Sequence, residues 1–100
     1  MEISSALEQF YEYIILEKGL SPHSVEAYQI DLRQYAGFLH DKGVQKLKDV
    51  ELDHLESLLK DFRKGGFSQA SVARKTSSIR SFHRFCFSEN LAEHDPAEFL

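Results

Sequence analysis

One cysteine, Cys86, stands among the 100 residues, so the chain forms no internal disulfide and lacks the thiols of a cysteine-based zinc site. Its five histidines (His23, His40, His54, His83 and His94) are scattered without ligand spacing, and no metal or cofactor site is expected. A secretory leader and an apolar run of about 18 residues are both missing, which fits a soluble cytoplasmic protein with no membrane span. No Gly-rich phosphate loop is present, and no nucleophile has a base at a recognisable spacing, so nothing supports catalysis by this chain. The most informative absence is local. From Phe62 to Ser88 there is not one Asp or Glu, although acids outnumber bases sixteen to twelve overall. The same stretch holds Arg63, Lys64, Arg74, Lys75, Arg80 and Arg84, which leaves the rest of the chain six bases against all sixteen acids. An acidic body with one basic, helix-sized strip is what a polyanion reads, more than the net charge of −4.

What remains is enough for a fold. A hydrophobic content of 42% with twelve aromatics describes a globular chain. Its length suits one domain over residues 1–100, burying about 60–65% of its unfolded surface. Apolar spacing is helical throughout, and the fold class expected is all-α, a bundle of four to five helices.

Ser5 and Glu8 have the spacing of a capping box, and Leu7, Phe10, Tyr11, Ile14 and Ile15 form one face, predicting a first helix to about Lys18, stopped at Gly19. Ser21 as N-cap and Pro22 at the first helical position open a second, carrying Val25, Tyr28, Leu32, Tyr35, Ala36 and Leu39 and ending before Gly43. A third begins between Asp49 and Glu51 and turns Leu52, Leu55, Leu58, Leu59 and Phe62 inward until Gly65 and Gly66 break it. The fourth runs from Ser68 to about Phe87. Asp95 before Pro96 marks a turn, and Ala97 to Leu100 reads as the start of a fifth helix.

The second and fourth helix starts echo each other, GLSPHSV at 19–25 and GFSQASV at 66–72. Each has a glycine, an apolar residue, a capping serine, a second serine (Ser24, Ser71) and a valine. Good helix starts converge on such parts, and the same parts expose hydroxyls and free N–H groups at a positive dipole end, where an anion binds.

On a helical wheel, Val72, Thr76, Ile79, His83, Cys86 and Phe87 form the inward stripe of the fourth helix. The opposite arc carries Ser71, Arg74, Ser77, Ser78, Ser81 and Arg84, with Lys75 and Arg80 on its flanks. Serine is a mediocre helix former, so small hydroxyls interleaved with long cations fit a face pressed against a phosphate backbone or into a groove. Phe82 and Phe85 are assigned to core packing, His83 to a satisfied core histidine and Cys86 to a small buried hydrophobe. Tyr28 and Tyr35 follow core spacing with hydroxyls able to emerge at the surface.

The ordered set Leu20-Ser21, Ser24, Tyr28, Asp31-Leu32, Phe38-Leu39, then Ala73-Arg74, Ser77, Arg80, Phe82, Phe85, then Asp95-Pro96 resembles the N-terminal core-binding domain of the tyrosine recombinases, the Xer-type and phage-integrase group. The resemblance covers nearly the whole chain. It implies a SAM-like bundle that clamps duplex DNA while a C-terminal domain, expected after residue 100, cuts and rejoins strands without metal or nucleotide cofactor. Other recombinase subunits in a synaptic tetramer are the implied protein partners. Carried over by position, His23, Ser24, Ala27, Tyr28 and Arg33 on the second helix would face DNA. Ser71, Arg74, Lys75, Ser77, Ser78, Arg80, Ser81 and Arg84 on the fourth would do the same. None of Tyr11, Tyr13, Tyr28 or Tyr35 matches the family's nucleophile. A helical interaction module docking an acidic partner through the same basic face is the alternative. A basic helix lying on an anionic membrane is disfavoured because the core needs its apolar stripe.

Overall fold

The computed structural model describes residues 1–100 as an all-α bundle. Its helices are α1 (Ile3–Glu12), α2 (Pro22–Asp41), α3 (Leu52–Lys64) and α4 (Gln69–Ser88). α2 and α4 pack against each other, α1 lies against both, and α3 closes the far side.

The two serine-led starts are built alike. Ser21 and Ser68 both adopt extended backbone, and the side chain of each accepts from the N–H three residues on, Ser24 at 3.2 Å and Ser71 at 3.1 Å. Each capping hydroxyl also lies 3.2 Å from the second serine's hydroxyl. The fourth helical position is a buried valine in both, Val25 and Val72. α3 is capped reciprocally: Glu51 accepts from the His54 backbone, while the His54 ring accepts from the Glu51 N–H at 3.0 Å.

The N-terminus departs from expectation. Ser5 caps nothing, because α1 has already started at Ile3 behind Glu2. The Ile3 N–H donates to the Gln45 carbonyl at 2.9 Å and the Leu47 N–H to the Met1 carbonyl at 3.0 Å, so a distant segment satisfies the helix end in place of a serine cap. After Glu12 the helix widens into a π turn over Tyr13–Glu17, with the Lys18 N–H donating five residues back to Tyr13. That turn shifts the face: Ile14 stays buried while Ile15 and Leu16 come out into solvent. The link between α2 and α3 is not a bare connection either. Val44, Leu47 and Val50 are buried at three-residue spacing around a short 3₁₀ turn, Leu47–Asp49. The tail forms the expected Asp95 turn, whose carboxylate accepts from the Ala97 N–H at 2.9 Å, but residues 97–100 make only further turn, not a fifth helix. His94 Nε2 donates to the Val50 carbonyl at 2.9 Å and ties this tail to the 3₁₀ segment.

Phe10 is the hub of the core, with the rings of Tyr28, Phe82 and Phe85 edge-on at 5.5–5.8 Å. Phe82, Phe85, His83 and Cys86 are buried as expected, whereas Phe87 is 49% exposed and leaves the predicted stripe. Tyr35 does not reach the surface: its hydroxyl lies 2.6 Å from His83 Nε2, both residues being buried. Burial, with a smaller contribution from His94, pushes the His83 pKa down to about 3, so the ring is neutral and one proton fills the hydroxyl–imidazole gap. Burial likewise raises the Cys86 thiol to about 12, which makes it an inert core residue.

Because the folded-state pKa of His83 lies below the ordinary value of about 6.5, the unfolded chain gains a proton that the native chain refuses. Stability held above pH 6.5 is therefore lost as pH falls toward 3, at ~1.4 kcal/mol per pH unit within that window. Urea unfolding at several pH values between 7 and 4 should give a shallower decline, by one proton, in Tyr35→Phe/His83→Leu than in the wild type. Parallel curves would exclude His83 as the source.

Candidate nucleic-acid interface

Where α2 meets α4, one acid supplies what the basic strip lacks. Asp31 is 2% exposed, and its carboxylate accepts four hydrogen bonds from α4. Arg74 donates through Nη2 to Oδ1 at 2.8 Å and through Nε to Oδ2 at 3.2 Å; Ser78 Oγ donates to Oδ2 at 2.8 Å; Lys75 Nζ lies 3.4 Å from Oδ1. Burial acts to raise the carboxyl's pKa, but the hydrogen bonds from Arg74 and Ser78 and the charges of Arg74 and Lys75 outweigh it and hold the pKa below its usual value. Lys75 is buried too. Its ammonium donates to Gln34 Oε1 at 2.7 Å and stands over the rings of Phe67 and Phe62, 5.1 and 5.6 Å from their centroids.

These contacts correct the expected face of α4. The helical wheel puts Ser78 on the exposed arc and Lys75 on its flank; both are buried against α2, and the inward stripe is rotated toward them by a little under a quarter turn. Thr76, which the wheel puts on the stripe, is half-buried and donates back to the Val72 carbonyl at 2.7 Å. A hydrophobicity wheel counts Lys and Ser as outward. A buried carboxylate across the interface reverses that sign.

The side of α4 left open carries Ser77, Arg80 and Arg84 exposed and Ser81 half-buried, together lining a shallow polar hollow. Ser81 and Arg84 also line a cleft of ≈ 270 Å³ shared with Tyr28 and Leu20 at the start of α2 and with Lys18 and Tyr13. The structure thus brings Tyr28, Ser81 and Arg84 together, with His23 exposed and Ser24 and Ala27 half-buried along the same α2 start. Both ion pairs in the molecule involve Asp31, so Arg80 and Arg84 make none, although both line a hollow with Asp95 and Glu98 of the tail and Arg84 shares the cleft with Glu89. Arg74 is paired yet 54% exposed at its side chain. Ser71 is half-buried and committed to the cap. Arg33 does not join the group. Two residues past Asp31, it projects from nearly the opposite side of α2, where its charge acts on the Tyr11 hydroxyl.

Local patterning gives no role to Asp31, Gln34 or Lys18. Asp31 carries a readable signal all the same, since it sits three residues after Tyr28 and four before Tyr35, at core spacing. Its partners lie 43 to 47 residues away, beyond the reach of such patterning.

The sequence has known relatives. Residues 7–90 match the family described as "Phage integrase, N-terminal SAM-like domain". The chain is 33% identical over 98 residues to Tyrosine recombinase XerD of Staphylococcus epidermidis, covering 98% of this chain and 33% of that protein. It is 36% identical over 100 residues to Tyrosine recombinase XerD of Brucella abortus (100% and 32%) and 33% identical over 98 residues to Tyrosine recombinase XerC of Stutzerimonas stutzeri (98% and 33%). The chain therefore spans about a third of the length of the curated relatives it matches. The Asp31 network lies wholly within the matched segment.

Removing the carboxylate leaves Lys75 buried without its counter-charge, so Asp31→Ala should cost about 3–5 kcal/mol in urea unfolding, and Asp31→Ala/Lys75→Met much less. The lowered pKa gives a sign as well: the stabilisation is complete above the ordinary carboxylate pKa of about 4 and is lost as pH drops through the folded-state value. An Asp31→Ala variant as stable as the wild type would contradict the network's role.

Proposed function

This chain belongs to the phage integrase N-terminal SAM-like domain family of the tyrosine recombinases, and from that premise we propose that it grips duplex DNA across the start of α2 and the open side of α4. The observation that carries the reading is the set Ser77, Arg80, Ser81 and Arg84, whose arginines make no ion pair, joined through Ser81 and Arg84 to the cleft with Tyr28 and Lys18. Short hydroxyl side chains permit close approach of a helix to a groove, and the flanking arginines reach phosphates. Tyr28 adds a hydroxyl, and Ser24 adds a second at the positive dipole end of α2, its own N–H being taken up by the Ser21 cap. His23 and Ala27 lie on the same margin. In this proposal Arg33 contributes only long-range field, and Lys75 and Ser78 act through Asp31 without touching DNA.

The domain's part in recombination is grip and register. Strand cleavage and rejoining through a phosphotyrosine would be the work of a C-terminal domain, in the cytoplasm and within an assembly of recombinase subunits. With a net charge of −4, this chain alone should bind weakly and with steep salt dependence.

Fluorescence anisotropy with a labelled duplex across a salt series tests the reading. Arg80→Ala/Arg84→Ala should weaken binding and flatten the plot of log K against log salt by roughly 0.9 for each phosphate no longer neutralised. Identical curves for variant and wild type would remove this side of α4 from the interface. Heparin and nonspecific DNA should displace the duplex, whereas an acidic protein docked on the same face would resist both.

A further inference from the structure

Of Asp31 and its three α4 partners, Arg74 is the one that reaches solvent, and the manner of its pairing is informative. A guanidinium has five N–H donors in a planar fork. The Asp31 carboxylate takes one from Nε and one from Nη2, the side-on bidentate arrangement. Three donors remain, two on Nη1 and one on Nη2, and the end of the fork is free. The pairing does not neutralise the cluster, because the buried Lys75 ammonium shares the same carboxylate. Asp31, Arg74 and Lys75 together carry one net positive charge, and Arg74 is where it meets solvent. Around it the helix is kept low by Ala73 and Ser77, both exposed and small.

We propose that Asp31 is a positioning residue that makes Arg74 a reader of a base edge, its free Nη1–Nη2 end donating to the O6 and N7 acceptors of one guanine in the major groove. The inference rests on the DNA-gripping reading above and adds a division of labour to it. Arg80 and Arg84, unpaired and long, are free to follow phosphates. Arg74, locked at its base by two hydrogen bonds, loses little further freedom when it forms a planar contact, and a planar two-donor contact is what distinguishes guanine from the other bases. Lysine in its place would keep the charge and lose the fork.

The test is selection from a pool of duplexes with a randomised core of about one helical turn, sequencing the bound fraction at low salt and measuring total binding to the pool separately. Wild type should enrich guanine at one position by roughly tenfold. Arg74→Lys should lose that enrichment while keeping its total binding. Asp31→Asn/Lys75→Met, which removes the buttress together with the buried charge it balances, should lose the same position and no other, with its helical circular dichroism intact. If that double variant fails to fold, Arg74→Lys decides, together with the Arg74 Nε–H NMR signal of the wild type, which should be protected from exchange in the free protein. Enrichment that survives Arg74→Lys, total binding that falls equally on every sequence, or an unprotected Nε–H would overturn the inference while leaving a grip through Arg80 and Arg84 standing. No binding of the pool by the wild type would sink the grip itself.

Discussion

A carboxylate buried between two helices must be fully partnered or it unfolds what surrounds it, and Asp31 sets that condition here. Its four hydrogen bonds all come from α4 and determine how that helix is turned about its own axis. Apolar packing alone leaves such rotation loosely defined, because Phe82, Phe85 and Phe87 offer competing stripes. With Lys75 and Ser78 drawn toward α2, Phe87 is turned out and Phe82 is fully buried against Phe10. The buried pair of Tyr35 and His83 fixes the same interface at a second point, again with a polar contact that only one rotation satisfies.

The open side of α4 follows from that rotation. Once the inward stripe runs through Val72, Lys75, Ser78, Ile79 and Phe82, the residues left outside include Ser77, Arg80 and Arg84, with Arg74 at the edge. The charge asymmetry of the sequence is thereby sharpened. Of the six bases in the acid-free strip, Lys75 is buried and Arg74 is shared with Asp31. Arg84, unpaired, lines the cleft with the start of α2, and Arg80, also unpaired, lies beside it in the hollow with Ser77 and Ser81.

Much of this is legible in the chain because it is written locally. Ser21 with Pro22, Ser68, and the glycines at 19, 43 and 66, all of which adopt positive φ, bound the helices where the sequence puts them. The likeness of the two serine caps is visible as a seven-residue echo and holds down to the hydrogen bonds. What escapes depends on partners far along the chain. Ser5 caps nothing because Gln45 satisfies the end of α1, a contact between residues 42 apart in sequence. The π turn at Tyr13–Glu17 has no sequence period of its own. Lys75 and Ser78 read as surface until an acid in another helix accounts for them. Within the proposed interface, the small and cationic residues are evident from the wheel, while their division into exposed, shared and buried is not.

Family membership and fold agree on an all-α, SAM-like bundle, in which α2 and α4 are joined through Asp31. The proposed DNA-facing surface joins the start of α2 to the open side of α4. Amide shifts of the isotope-labelled chain, titrated with a short duplex at low salt, address it most directly. The account predicts perturbations at Ser24, Ala27, Tyr28, Arg74, Ser77, Ser81 and Arg84, with α3 and the 3₁₀ turn unmoved. Shifts confined to α3, or to the π turn around Leu16, would contradict it.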